Sequence, residues 1–115
     1  MKQWVRLCSV ADAPAEGQVA EANAGDTTVC LARIGGVLSA VDNWCPHRRG
    51  PLGAGWLEGN AVVCPWHSWT FDMTTGAAEF PVDERVAVFP VKISGEDVLV
   101  QLNSTAAPDA SSIST

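Results

Sequence analysis

The chain has two histidines, and each stands beside a cysteine. Cys45-Pro46-His47 is followed after sixteen residues by Cys64-Pro65-Trp66-His67. Thiolate and imidazole are the ligands that select iron–sulfur clusters, zinc or copper. Carboxylates, which would point to calcium or magnesium, are missing from the set. A structural zinc site also takes two Cys and two His, but usually as a Cys pair followed by a His pair. Here each half is mixed, and each short loop offers one sulfur and one nitrogen, an arrangement that favours a cluster over zinc. A copper site would bring a Met close to one Cys and two His, and Met1 and Met73 are poorly placed for that.

Short runs rich in Val, Ile, Leu and Thr, separated by Gly, Pro and Asp, must position these loops. They predict a small all-β domain. The expected strands are Trp4–Cys8, Gln18–Ala22, Thr27–Ile34, Val37–Asp42, Ala61–Cys64, Trp69–Asp72, Val86–Ser94 and Val98–Leu102. Gly35-Gly36 suits a two-residue hairpin turn in which both residues take φ > 0. Ser94–Asp97 and Asp72–Gly76 read as further turns, and Asp12–Glu16 holds at most one helical turn. Residues 43–71 contain four of the five tryptophans, both histidines and three prolines, and read as a site-building insertion. Residues 103–115 are Ser, Thr and Ala with little else, too polar to form part of a core, and are expected to be a disordered tail.

The charge balance excludes some classes of function. A net charge of −6 argues against nucleic acid as a partner. Residues 43–71 carry only Arg48, Arg49 and Glu58, so that segment is net +1 and the remainder −7. No run approaches the roughly 20 apolar residues that span a bilayer, and no signal peptide is evident, so a cytoplasmic protein is expected, without a membrane partner. In that setting the four cysteines are not expected to form disulfides, and Cys8 and Cys30 read as small buried hydrophobes. No nucleophile–base pair or paired carboxylates stand in a site-like setting, so no catalytic residue is assigned.

Cys45-Pro46-His47-Arg48-Arg49-Gly50-Pro51-Leu52 and Cys64-Pro65-Trp66-His67-Ser68-Trp69-Thr70-Phe71-Asp72 resemble the two cluster-binding boxes of the Rieske family. The likeness extends to Thr75-Gly76 and to the run from Val91 to Leu102. It implies an antiparallel sandwich over residues 1–102, with a cluster-binding subdomain over about 43–71. It also implies a [2Fe–2S] cluster, with Cys45 and Cys64 on one iron and His47 and His67 on the other. Such centres span about −150 to +300 mV. The formal charge goes from about zero to about −1 on reduction.

High-potential respiratory members carry an extra disulfide between the boxes, and the matching positions here are Gly50 and Trp66. Hydroxyl donors of those members are matched by Trp69 and Phe71. Both differences imply a low-potential, ferredoxin-like electron carrier. Trp44, Trp56, Trp66 and Trp69 are expected to shield the loops from water. Gly50, Gly53, Gly55 and Gly59 are expected to let backbone N–H groups turn toward the sulfides.

Within the family the stretch between the boxes and Val88-Phe89-Pro90-Val91-Lys92 look closest to the small subunit of NAD(P)H-dependent nitrite reductase. That reading implies a sirohaem-bearing large subunit as partner. The alternative is a ferredoxin passing electrons from a flavin reductase to a ring-hydroxylating oxygenase. A structural zinc module is a third reading.

Overall fold

The computed structural model describes residues 2–45, 49–66, 68–80 and 85–103. His47, His67, Arg48 and the residues beyond 103 lie outside them, and Asn103, where the expected tail begins, instead ends the last strand opposite Lys2. Eleven strands form three antiparallel sheets among the described residues. The first sheet joins β1 (Lys2–Ser9), β11 (Asp97–Asn103) and β10 (Val91–Ser94) in the order β1-β11-β10. The second has the order β2-β3-β4-β9, from Val19–Ala24, Thr27–Ile34, Val37–Asp42 and Val88–Phe89. The third is β5-β6-β7-β8, from Trp56–Glu58, Ala61–Val63, Thr70–Asp72 and Ala78–Phe80. The all-β expectation holds.

β3 explains how the sheets share a core. Val29, Cys30, Leu31 and Ala32 are buried in succession, as a strand covered on both faces must be. Val29 and Leu31 join a cluster with Leu7, Val98 and Val100. Cys30 and Ala32 join the other, with Leu52, Val62, Phe71 and Met73. That second cluster also contains Cys45 and Cys64, so the candidate ligands stand on the core rather than on a detached arm. Burial pushes the Cys30 thiol up to about 12, in keeping with a small hydrophobe. Cys8 is only half-buried, beside an irregularity in the pairing of β1 with β11.

Gly35 and Gly36 both have positive φ, +61° and +80°, and close the β3–β4 hairpin as expected. Three differences have local causes. The run from Val86 to Ser94 is two strands in different sheets, because Pro90 separates β9, paired with β4, from β10, paired with β11. β5 and β8 were not foreseen, since three residues are too few to show an alternating pattern. The helical turn is a 3₁₀ turn at Val10–Asp12, starting earlier than Asp12–Glu16.

Candidate metal centre

The described ends of the two cysteine loops match. Loop one spans residues 45–50 and is closed by the antiparallel bridge between Trp44 and Pro51. Loop two spans residues 64–69 and is closed by the pairing of Val63 with Thr70. In loop one the Cys45 N–H donates to the Gly50 carbonyl at 2.9 Å, and the Arg49 N–H to the Cys45 carbonyl at 2.6 Å. In loop two the Cys64 N–H donates to the Trp69 carbonyl at 2.7 Å, and the Ser68 N–H to the Cys64 carbonyl at 3.2 Å. The fifth residue of each loop is left-handed: Arg49 has φ +58° and Ser68 +61°. Neither is glycine, so the sequence carried no local sign of this. All that the two positions share in the sequence is an offset of four residues from the preceding cysteine.

The loops bring Cys45 and Cys64 together, each 1% exposed. Burial pushes the Cys64 thiol above its usual range. The Trp66 backbone N–H, hydrogen-bonded to it, opposes that shift, and the adjoining Cys45 thiol adds to it. Both cysteines are free thiols. Two buried sulfurs in contact are costly to ionise together unless cationic iron or zinc lies between them, so this donor set fits a soft metal group. Among the described residues no third His, Cys, Asp or Glu completes a metal-binding group. The two histidines lie outside them.

Asn43, which the sequence reading passed over, holds loop one to the central sheet. It is 0% exposed. Its Oδ1 accepts from the Gly53 N–H at 2.7 Å, and its Nδ2 donates to Glu21 Oε2 at 2.9 Å. Its backbone N–H donates to the Thr28 carbonyl, and its own carbonyl accepts from the Leu52 N–H at 2.7 Å. The expected role of two glycines changes accordingly. The N–H of Gly53 goes to Asn43, and that of Gly55 to the Leu52 carbonyl at 2.9 Å, so neither is spent on a sulfur. Both positions are glycine because a side chain would strike a neighbour: a Cβ on Gly53 would lie 2.5 Å from Glu21 Cγ, and one on Gly55 would run into the Val63 carbonyl oxygen.

The tryptophans divide in the same way. Trp69 is half-buried against the core and tilted toward Phe71, with ring centroids 6.3 Å apart. Trp44 is half-buried beneath the Arg49 guanidinium, 5.4 Å from its ring centroid. Trp56 and Trp66 are exposed, and the Trp56 indole N–H reaches Glu58. The Gly50 and Trp66 positions, matched above to a disulfide elsewhere, are neighbours. A Cβ on Gly50 would stand 3.3 Å from that of Trp66.

The Rieske [2Fe-2S] domain family matches residues 3–90. The ferredoxin component of the naphthalene 1,2-dioxygenase system of Pseudomonas aeruginosa is 32% identical over 103 residues, 89% of this chain and 98% of that protein. Among solved structures, a ferredoxin from Sphingomonas yanoikuyae B1 superposes with TM-score 0.79 and 28% identity, covering 88% of this chain and all of that one. A chain from a complex of reduced oxygenase and oxidised ferredoxin in carbazole 1,9a-dioxygenase superposes with TM-score 0.74 at 27% identity, covering 84% and 91%.

Proposed function

This chain belongs to the Rieske [2Fe-2S] family, whose domain carries a [2Fe–2S] cluster, and from that premise we propose that it is the ferredoxin of a ring-hydroxylating oxygenase system. It takes single electrons from a flavin reductase and delivers them to the oxygenase. The observation that carries this is the match to a ferredoxin component of a dioxygenase system over 89% of this chain and 98% of that protein. The nitrite reductase reading loses its preference, because it rested on short stretches between the boxes and near Pro90. Relatives matched over nearly their full length include ferredoxin components of dioxygenase systems instead.

Cys45, His47, Cys64 and His67 are the ligands in this reading. The contact between the two buried thiols supports the cysteine half of the set. When bound, the cluster supplies a one-electron couple. The chain's own share is to keep the sulfurs dry on rigid loops, which holds structural change on reduction small. In this reading the domain runs to the end of β11 at Asn103, and the protein works in the cytoplasm without a membrane partner.

The test is a potentiometric titration with electron paramagnetic resonance. A rhombic signal of low average g, appearing only on reduction, is expected, and Cys45→Ser or Cys64→Ser should abolish it. A colourless protein with stoichiometric zinc after anaerobic cluster reconstitution would replace this reading with the structural one. Restored turnover of an oxygenase–reductase pair by the free protein supports the oxygenase role. Co-purification with a sirohaem protein instead would return the case to nitrite reductase.

A further inference from the structure

Loop one and loop two meet at a glycine. A Cβ built on Gly50 would lie 2.6 Å from Cys64 Sγ, 3.2 Å from Trp66 Cγ and 3.3 Å from Trp66 Cβ. Real Cβ atoms essentially never approach another heavy atom to 2.6 Å, so even an alanine must move something. Little there can move. Gly50 is held by its carbonyl to Cys45, and Cys64 by its N–H to Trp69 and its carbonyl to Ser68. Trp66 is 48% exposed as a residue, yet its Cβ and Cγ lie against Gly50, beside the place where the Cys64 sulfur also approaches. The root of the indole and the Cys64 sulfur thus converge on the same point beside Gly50, where an aromatic side chain can exclude water from the sulfur.

We propose that Gly50 and Trp66 form a latch between the loops: Gly50 sets their separation, and the Trp66 ring keeps water from the Cys64 sulfur. Both are positioning residues, and together they tune the retention and the potential of the cluster. This rests on the reading of Cys45 and Cys64 as cluster ligands. Truncating Trp66 leaves its backbone N–H on the sulfur, so the effect of the ring is isolated from that of the hydrogen bond. Water admitted beside the sulfur favours the more negative reduced state, and the potential rises. The same opening gives solvent a path to the cluster and shortens its lifetime.

The experiment compares holo wild type, Trp66→Ala, Trp66→Phe and Gly50→Ala by midpoint potential, reduced-state paramagnetic resonance and rate of loss of visible absorbance in air. Trp66→Ala should have a raised potential and lose its cluster about ten-fold faster, the size usual for residues supporting a metal ligand. Trp66→Phe should stay close to wild type. Gly50→Ala should retain its far-ultraviolet circular dichroism while its cluster occupancy falls or its g values shift. A Trp66→Ala protein with unchanged potential and lifetime overturns the cover. So does a Phe variant as impaired as the Ala one. A Gly50→Ala protein with wild-type signal and lifetime overturns the spacing role. If wild type itself shows no mixed-ligand signal, the ligand reading fails and the latch with it; a normal wild-type signal with inert variants removes the latch alone.

Discussion

Asn43 can be buried without penalty because both ends of its side-chain amide have partners, Gly53 and Glu21. Replacing it by Leu, similar in size but without the acceptor, would leave the Gly53 N–H without its bond inside a tight loop. The cost should be about 1–3 kcal/mol, read as a lower urea midpoint at unchanged slope. An unchanged midpoint would mean that the loop is held by its apolar contacts alone. Ser68 is the converse case. It is exposed yet left-handed at φ +61°, where a side chain costs about 1 kcal/mol and glycine little. Ser68→Gly should therefore stabilise the fold, against the usual direction for a new glycine. A lower midpoint in that variant would show that the serine hydroxyl compensates for the backbone.

At the scale of elements, the β7–β8 hairpin is built on one carboxylate. Asp72 accepts from the hydroxyl and N–H of Thr74 and from the N–H of Thr75, and its own carbonyl receives the Gly76 N–H. The Thr74 bonds, hydroxyl first, hold the Asp72 carboxyl below the usual carboxylate range. A depressed acid stabilises the folded state above the pKa of the unfolded chain, and that stability is lost as pH falls through the folded value. Asp72→Asn should thus cost stability at pH 7 and progressively less below about pH 4, where the unfolded carboxyl protonates. Equal losses at pH 7 and pH 3 would remove the charge from the account. This turn was legible in the sequence, as Asp72–Gly76, because its chemistry is local. β3 and β4 were legible to the residue for a similar reason, Gly35-Gly36 fixing their shared end. What was not legible depends on the partner each segment meets rather than on its own residue types. β5 acquires its strand character from β6, Pro90 divides two strands only because different sheets receive them, and Asn43 matters only once Glu21 lies beside it. The cysteine–histidine spacing showed the site's chemistry, but the matching loop geometry around Arg49 and Ser68 had no residue-type signature.

For the whole molecule, the charge pattern becomes a geometric one once the fold is known. The net +1 segment of residues 43–71 contains both cysteine loops and the hairpin joining them, while the −7 remainder belongs to the rest of the body. Arg49 stands exposed on loop one with its guanidinium over Trp44, which keeps the charge at the rim of the site. The Arg6 guanidinium, by contrast, is paired with Asp97 on the first sheet. An electron carrier polarised in this way is expected to present its cluster end to an acidic docking surface and to turn its acidic body away. Reversing the end should reverse the preference. Arg48→Glu with Arg49→Glu is expected to slow electron delivery to an oxygenase with an acidic docking surface by about ten-fold at low salt, the lower end of electrostatic rate steering. The deficit should shrink toward zero at high salt, where surface charges beyond about 10 Å are screened. Stopped-flow oxidation of the reduced ferredoxin across an ionic-strength series measures both quantities, and the midpoint potential of the variant separates steering from driving force. A deficit that persists at high salt with an unchanged potential would mean that the arginines contact the partner directly. Rates identical to wild type at every salt concentration would remove steering by this pair altogether.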